Sequence, residues 1–272
     1  MRRIPSSGTT VGWLLAACLA CYFAVGPARG ASAADLFAVG SEAYKSGRFA
    51  DAASAFEYSA RFAPASGTLL NLGNAEWQRG RAGAAILAWE RAQWLNPFHP
   101  EAAGNLQFGR KVAQLESPRL TWYEAVSTWL PVNWWAWVTG ISLWAAVASG
   151  MLPGIVGWKR AAWQQAAAAG CLAIFLLSLP AQAGVLTRAR VGFVMEKEAP
   201  LRLTPTAEAQ VLTRMASGEP LRAERTRGKY ILVQTSRGSG WLERNQVGLI
   251  ASQSPRASLA YREPERARDG VK

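Results

Sequence analysis

The 272-residue chain is half hydrophobic and carries a formal net charge of +12. Its three cysteines, Cys18, Cys21 and Cys171, lie in apolar runs, and its one histidine, His99, stands alone, which excludes a disulfide framework and a Cys/His zinc site. Residues 34–117 hold eight basic and eight acidic residues, whereas residues 188–250 hold eleven and six, and no nucleic-acid module accompanies that surplus. A solvated Arg-rich surface accounts for it most simply; contact with anionic lipid or cell-wall polymer is the alternative.

The N-terminus reads as a signal peptide over residues 1–33. Arg2 and Arg3 precede an uncharged run from Val11 to Val25, and Ala31-Ser32-Ala33 offers a small-residue cleavage site. Two rivals stand beside it: a lipoprotein signal at Leu15-Ala16-Ala17-Cys18, and retention as an uncleaved anchor.

From residue 34 the sequence repeats at an offset of 33. Gly40 matches Gly73, Gly47 matches Gly80, Ala52 matches Ala85, Phe56 matches Trp89, and Pro64 matches Pro97. Each residue type has a use in a helix–turn–helix unit. A small residue at Gly40/Gly73 lets two helices approach, and Gly47/Gly80 supplies the left-handed residue that closes the first helix. Ala52/Ala85 lets the second helix cross the first, Phe56/Trp89 fills the gap, and Pro64/Pro97 ends the second helix. A third segment from Glu101 to Glu116 starts like another first helix and then stops, as a cap on a short helical stack would.

Leu36-x-x-Val39-Gly40…Gly47…Ala52…Phe56…Pro64 and Leu69-x-x-Leu72-Gly73-Asn74…Gly80…Ala85…Trp89…Pro97 resemble the tetratricopeptide (TPR) family over residues 34–117. The resemblance implies a peptide-binding groove lined by the first helix of each unit. By position its lining is Phe37, Ser41, Tyr44 and Lys45, then Leu70, Asn71, Asn74, Trp77 and Gln78, then Asn105, Phe108 and Lys111. Phe37 stands where a carboxylate clamp usually carries a basic residue, so such a clamp is not expected.

A Trp-rich linker spans 118–133. Two uncharged runs follow, Trp134–Val156 and Ala161–Val185, separated by Trp158-Lys159-Arg160. Each is long enough to cross ~30 Å of hydrocarbon. Eight of the thirteen tryptophans fall between 122 and 163, as in an interfacial belt. The spacing predicts transmembrane helices over 134–156 and 163–186 joined by a cytoplasmic loop at 157–162, paired through small faces such as Ala145/Ala148 and Ala166/Ala169. With an exported N-terminus, the flanking domains lie in the periplasm.

Short alternating runs then predict strands at Val191–Val194, Leu201–Leu203, Ala209–Leu212, Leu221–Ala223 and Tyr230–Val233. With Gly218-Glu219, Gly228-Lys229-Tyr230 and Gly240-Trp241-Leu242, residues 187–250 resemble the bacterial SH3-like domain, a small all-β barrel, with Tyr230 and Trp241 either lining a ligand surface or packing its core. Residues 251–272 are expected to be disordered.

The fold class is therefore a multidomain membrane protein: all-α TPR repeats, a two-helix transmembrane hairpin and a small all-β SH3-like barrel. This order resembles the BatE-type family of the Bacteroides-aerotolerance (Bat) operons. That likeness implies a cell-envelope scaffold in the bacterial inner membrane whose partners are von Willebrand-A-domain membrane proteins and a MoxR-type ATPase system, besides membrane lipid. No phosphate loop, nucleophile elbow or metal motif is present, so neither an enzyme nor a cofactor is expected. The alternative function is a peptidoglycan-binding or envelope-sensing module acting through the SH3-like domain.

Overall fold

The computed structural model describes residues 30–157 and 162–251. The signal segment, save its last residues, loop positions 158–161 and the tail from 252 onward lie outside the described residues. In chain order come helices α1 (Gly30–Lys45), α2 (Phe49–Phe62), α3 (Ser66–Gln78), α4 (Ala82–Leu95), α5 (Pro100–Ala113), the short α6 (Trp122–Val126), and the long α7 (Val132–Val156) and α8 (Ala162–Arg188). Seven strands follow: β1 (Val191–Val194), β2 (Ala199–Arg202), β3 (Val211–Met215), β4 (Pro220–Arg227), β5 (Tyr230–Thr235), β6 (Gly238–Glu243) and β7 (Val247–Leu249).

The first five helices stack as antiparallel neighbours, α1 on α2, α2 on α3, α3 on α4 and α4 on α5. The repeated residues explain the stacking. Gly47 and Gly80 take φ of +73° and +72°, the left-handed conformation that closes α1 and α3. Around each, the two backbone bonds of a helix-end motif form: Gly47 N–H to Tyr44 O with Arg48 N–H to Ala43 O, and Gly80 N–H to Trp77 O with Arg81 N–H to Glu76 O. A Cβ on Gly40 would lie 2.8 Å from the Phe56 ring, and one on Gly73 would lie 2.4 Å from Trp89. Phe56 and Trp89 are accordingly buried, and α2 and α4 end before Pro64 and Pro97. Ala33, at the expected cleavage site, is packed: its carbonyl accepts the Ser59 hydroxyl at 2.7 Å.

α7 and α8 form an antiparallel pair, each long and apolar enough to cross a membrane. The expected alanine faces do not make the contact: Ala148, Ala166 and Ala169 are exposed and Ala145 is only half-buried. A polar knot holds the pair instead. The hydroxyls of Thr139 and Ser178 lie 2.9 Å apart, and Gln182 Nε2 donates to Thr139 Oγ1 at 3.3 Å. Hydroxyls that bond one another across a helix seam satisfy themselves without water, which suits a pair able to cross a membrane.

The strands form one antiparallel sheet in the order β3-β2-β6-β5-β4-β1-β7, with bulges at Leu201/Arg202 and Ala223/Arg225. Gly240-Trp241-Leu242 lies inside β6, two strands more than the five expected being present. The sheet is not a separate body. Ile86, Leu87 and Trp89 of α4 share a core with Val191, Phe193 and Ile250. Gly83 N–H donates to Ser217 Oγ at 3.0 Å, and the Arg91 guanidinium donates to Leu249 O at 2.8 Å. A Cβ on Gly83 would come within 2.3 Å of Val194 O, so the glycine is what lets α4 lie on the sheet.

Candidate functional site

The expected groove residues divide into two groups. Asn74, Trp77, Asn105 and Phe108 come together where α3 meets α5. Asn74 Oδ1 accepts from Trp89 Nε1 at 3.0 Å and from Asn105 Nδ2 at 2.7 Å. Trp77 packs on Trp89 with ring centres 5.6 Å apart, and Phe108 meets Trp77 edge-on at 5.7 Å. Gly109 makes room for this, since a Cβ there would lie 2.9 Å from Trp89. The outcome is an aromatic shelf whose outer edge is Phe108, 55 % exposed.

The other group packs within the first helical pair. Phe37 lies 5.5 Å from Phe56 and Tyr44 lies 5.3 Å from Phe49, both half-buried against the repeat core. Leu70 is half-buried between that core and the core shared with the sheet. Asn71 is half-buried one helical turn before Asn74 and makes no side-chain hydrogen bond among the described residues. Ser41 donates to Phe37 O within its own helix, while Lys45, Gln78 and Lys111 are exposed. Asn74 and Asn105 therefore spend part of their hydrogen-bonding capacity on the scaffold, whereas Asn71 makes no side-chain hydrogen bond among the described residues and Phe108 is exposed.

Tyr230 and Trp241 do not form a surface. They are 4 % and 8 % exposed, and by strand alternation they lie on the face of β5 and β6 opposite to the one that Ile231, Val233 and Leu242 turn to the sheet core. Of the two places open to this pair, both side chains take the buried one.

Behind the shelf runs a chain of charges that motif reading missed. Arg110 on α5 pairs with buried Glu90 on α4. Burial pushes the Glu90 carboxyl up, against the pull of Arg110 and Arg188. Arg188, the last residue of α8, lies 4.8 Å over the Trp94 ring and donates to Ser127 Oγ at 3.1 Å. Beside it, fully buried Glu124 on α6 takes two hydrogen bonds from Arg222 on β4. One signal for Glu124 was in the sequence: Thr121-x-x-Glu124 is a capping box, and the Glu124 carboxylate accepts the Thr121 N–H at 2.9 Å. Its partner, 98 positions away, had no such local mark.

Compared with protein-family models, with curated proteins and with solved structures, the chain matches none.

Proposed function

We propose that this protein is a non-enzymatic, membrane-anchored interaction scaffold of the bacterial cell envelope, in which TPR-like helical repeats bind a segment of a partner protein. The observation that carries this reading is the α3/α5 shelf. Phe108 is exposed beside Trp77, and Asn71 offers a free amide on the same helix as Trp77. An exposed apolar ring, and an unpaired amide on the helix that packs against it, are groups that an extended or helical peptide can use. The terminal sheet is read as an SH3-like module that braces the repeats. α7 and α8 are read as the inner-membrane anchor, with a short cytoplasmic loop and with both flanking regions in the periplasm. Both regions join the hairpin at the same end, where α6 packs on α8.

The likeness to the BatE-type architecture makes von Willebrand-A-domain membrane proteins and a MoxR-type ATPase system the proposed partners, in envelope stress or aerotolerance. The test is affinity purification of the detergent-solubilised full chain beside an Asn71→Ala/Phe108→Ala variant, with copurifying proteins identified by mass spectrometry. Von Willebrand-A-type partners that vanish with the variant support the reading. Identical partners from both chains sink the groove assignment.

A further inference from the structure

The β4–β5 hairpin carries Arg225, Arg227 and Lys229 within five residues, all exposed. Arg244 joins them, its N–H donating to Lys229 O at 2.9 Å, and is exposed too. Two acids face this group: exposed Glu224 on β4, and Glu243 on β6, whose carboxylate is 3.9 Å from Lys229 Nζ. Positive charge stays in excess at the tip, and none of it is used in the core.

The sheet register says where this tip goes. The chain leaves α8 at Arg188 and enters β1 at Val191. β4 runs antiparallel to β1, with Arg222 opposite Val191, so it heads back toward the end of α8. There Ala223 N–H donates to Arg190 O at 2.8 Å, and Arg222 Nη1 donates to Thr187 O at 3.4 Å. From Arg222 the strand continues to Arg227, a reach of roughly 16 Å at the usual rise per residue. The same end of the helical pair carries exposed Trp122 and Trp129, 69 % and 66 % exposed, and exposed Arg119 and Arg190. Tryptophan and arginine together are the residues that settle at a lipid headgroup layer.

We propose that the β4–β5 tip rests on anionic phospholipid headgroups of the membrane that α7 and α8 cross. The inference rests on the membrane reading of that pair and is independent of the groove. Arg225, Arg227 and Lys229 supply the charge, and the buried Glu124–Arg222 pair fixes the strand that carries them. Contact of this kind sets the tilt of the body on the membrane and leaves the α3/α5 shelf at a fixed height above it.

The test uses the unmodified full chain in nanodiscs of phosphatidylcholine alone, and of phosphatidylcholine mixed with phosphatidylglycerol. Phenylglyoxal, a neutral reagent, modifies exposed arginines, and mass spectrometry reads each site. Co-elution with both kinds of nanodisc reports membrane insertion by itself, so failure of the tip contact is distinguishable from failure of the membrane reading. The expected result is that modification of Arg225 and Arg227 falls about fivefold when phosphatidylglycerol is present. It returns at high salt, while Arg48 on the helical layer reacts equally throughout. In an Arg227→Glu chain the shielding of Arg225 is lost. Equal reactivity in the two lipid mixtures overturns the proposal, and so does shielding that survives high salt or the Arg227→Glu change.

Discussion

Arg222 and Glu124, 98 positions apart, meet through two hydrogen bonds of 2.6 and 3.0 Å, with the Glu124 side chain wholly buried. This pair ties the sheet to α6, and α6 packs on α8 closely enough that a Cβ on Gly184 would lie 2.2 Å from Tyr123 O. The α7–α8 pair and the rest of the described residues are thus one mechanical unit. Removing one partner leaves an uncompensated charge. Arg222→Met is expected to cost about 3 to 5 kcal/mol in urea unfolding of the solubilised protein. The double change with Glu124→Leu recovers much of that loss.

The same pair sets an acid limit. Burial alone raises the Glu124 carboxyl, but hydrogen bonds from Arg222, Thr121 and Thr187, with the Arg222 charge, outweigh it and hold the group at about 2 instead of 4.5. A carboxyl held lower in the folded chain stabilises it above the ordinary value, and that contribution is lost as pH falls through about 2. Unfolding followed against pH should show this acid limb in the natural chain and lose it in Glu124→Gln. Parallel curves for the two chains would remove the role assigned to the pair.

Asn74 and Asn71 separate scaffold from site. Asn74→Ala strips an acceptor from the Trp89 indole and from Asn105, which is expected to lower stability by about 1 to 3 kcal/mol. Asn71→Ala should unfold with the natural chain, within about 0.5 kcal/mol, and change partner recovery instead. Thermal unfolding and copurification, measured on both, check the division.

The seam between α7 and α8 is polar. Thr139→Val removes a hydroxyl shared with Ser178 and Gln182 and is expected to weaken the α7–α8 pair by about 1 kcal/mol. Ala166→Leu, on the exposed side of α8, should leave the pairing unchanged in the same assay of helix association.

Much of the helical layer was legible because its causes are local and periodic. A glycine that must be left-handed, a ring that must fill one gap and a proline that must end a helix recur at one offset, and Gly47, Phe56 and Pro64 show it with Gly80, Trp89 and Pro97. The two apolar runs were legible for the same reason, since length without charge is a property of a segment. What escaped depends on pairs remote in the chain. Nothing local marks Ile86 and Leu87, yet they share a core with Val191 and Phe193 of β1 and with Ile250. Glu124 sat in a tryptophan-rich linker with nothing to announce Arg222. Thr139 and Ser178 look unremarkable among alanines, and only their facing positions make them the seam. Tyr230 and Trp241 fit both a surface and a core, because an aromatic in a short strand has the same local pattern either way.

The most direct test of the scaffold reading places a photo-reactive benzoylphenylalanine at Phe108 in the full chain and identifies what it captures in intact cells. The account predicts an adduct with a von Willebrand-A-domain membrane protein, lost when Asn71→Ala is added. No protein adduct at 108, with the same partner captured instead from position 203 on the exposed side of the sheet, would contradict it.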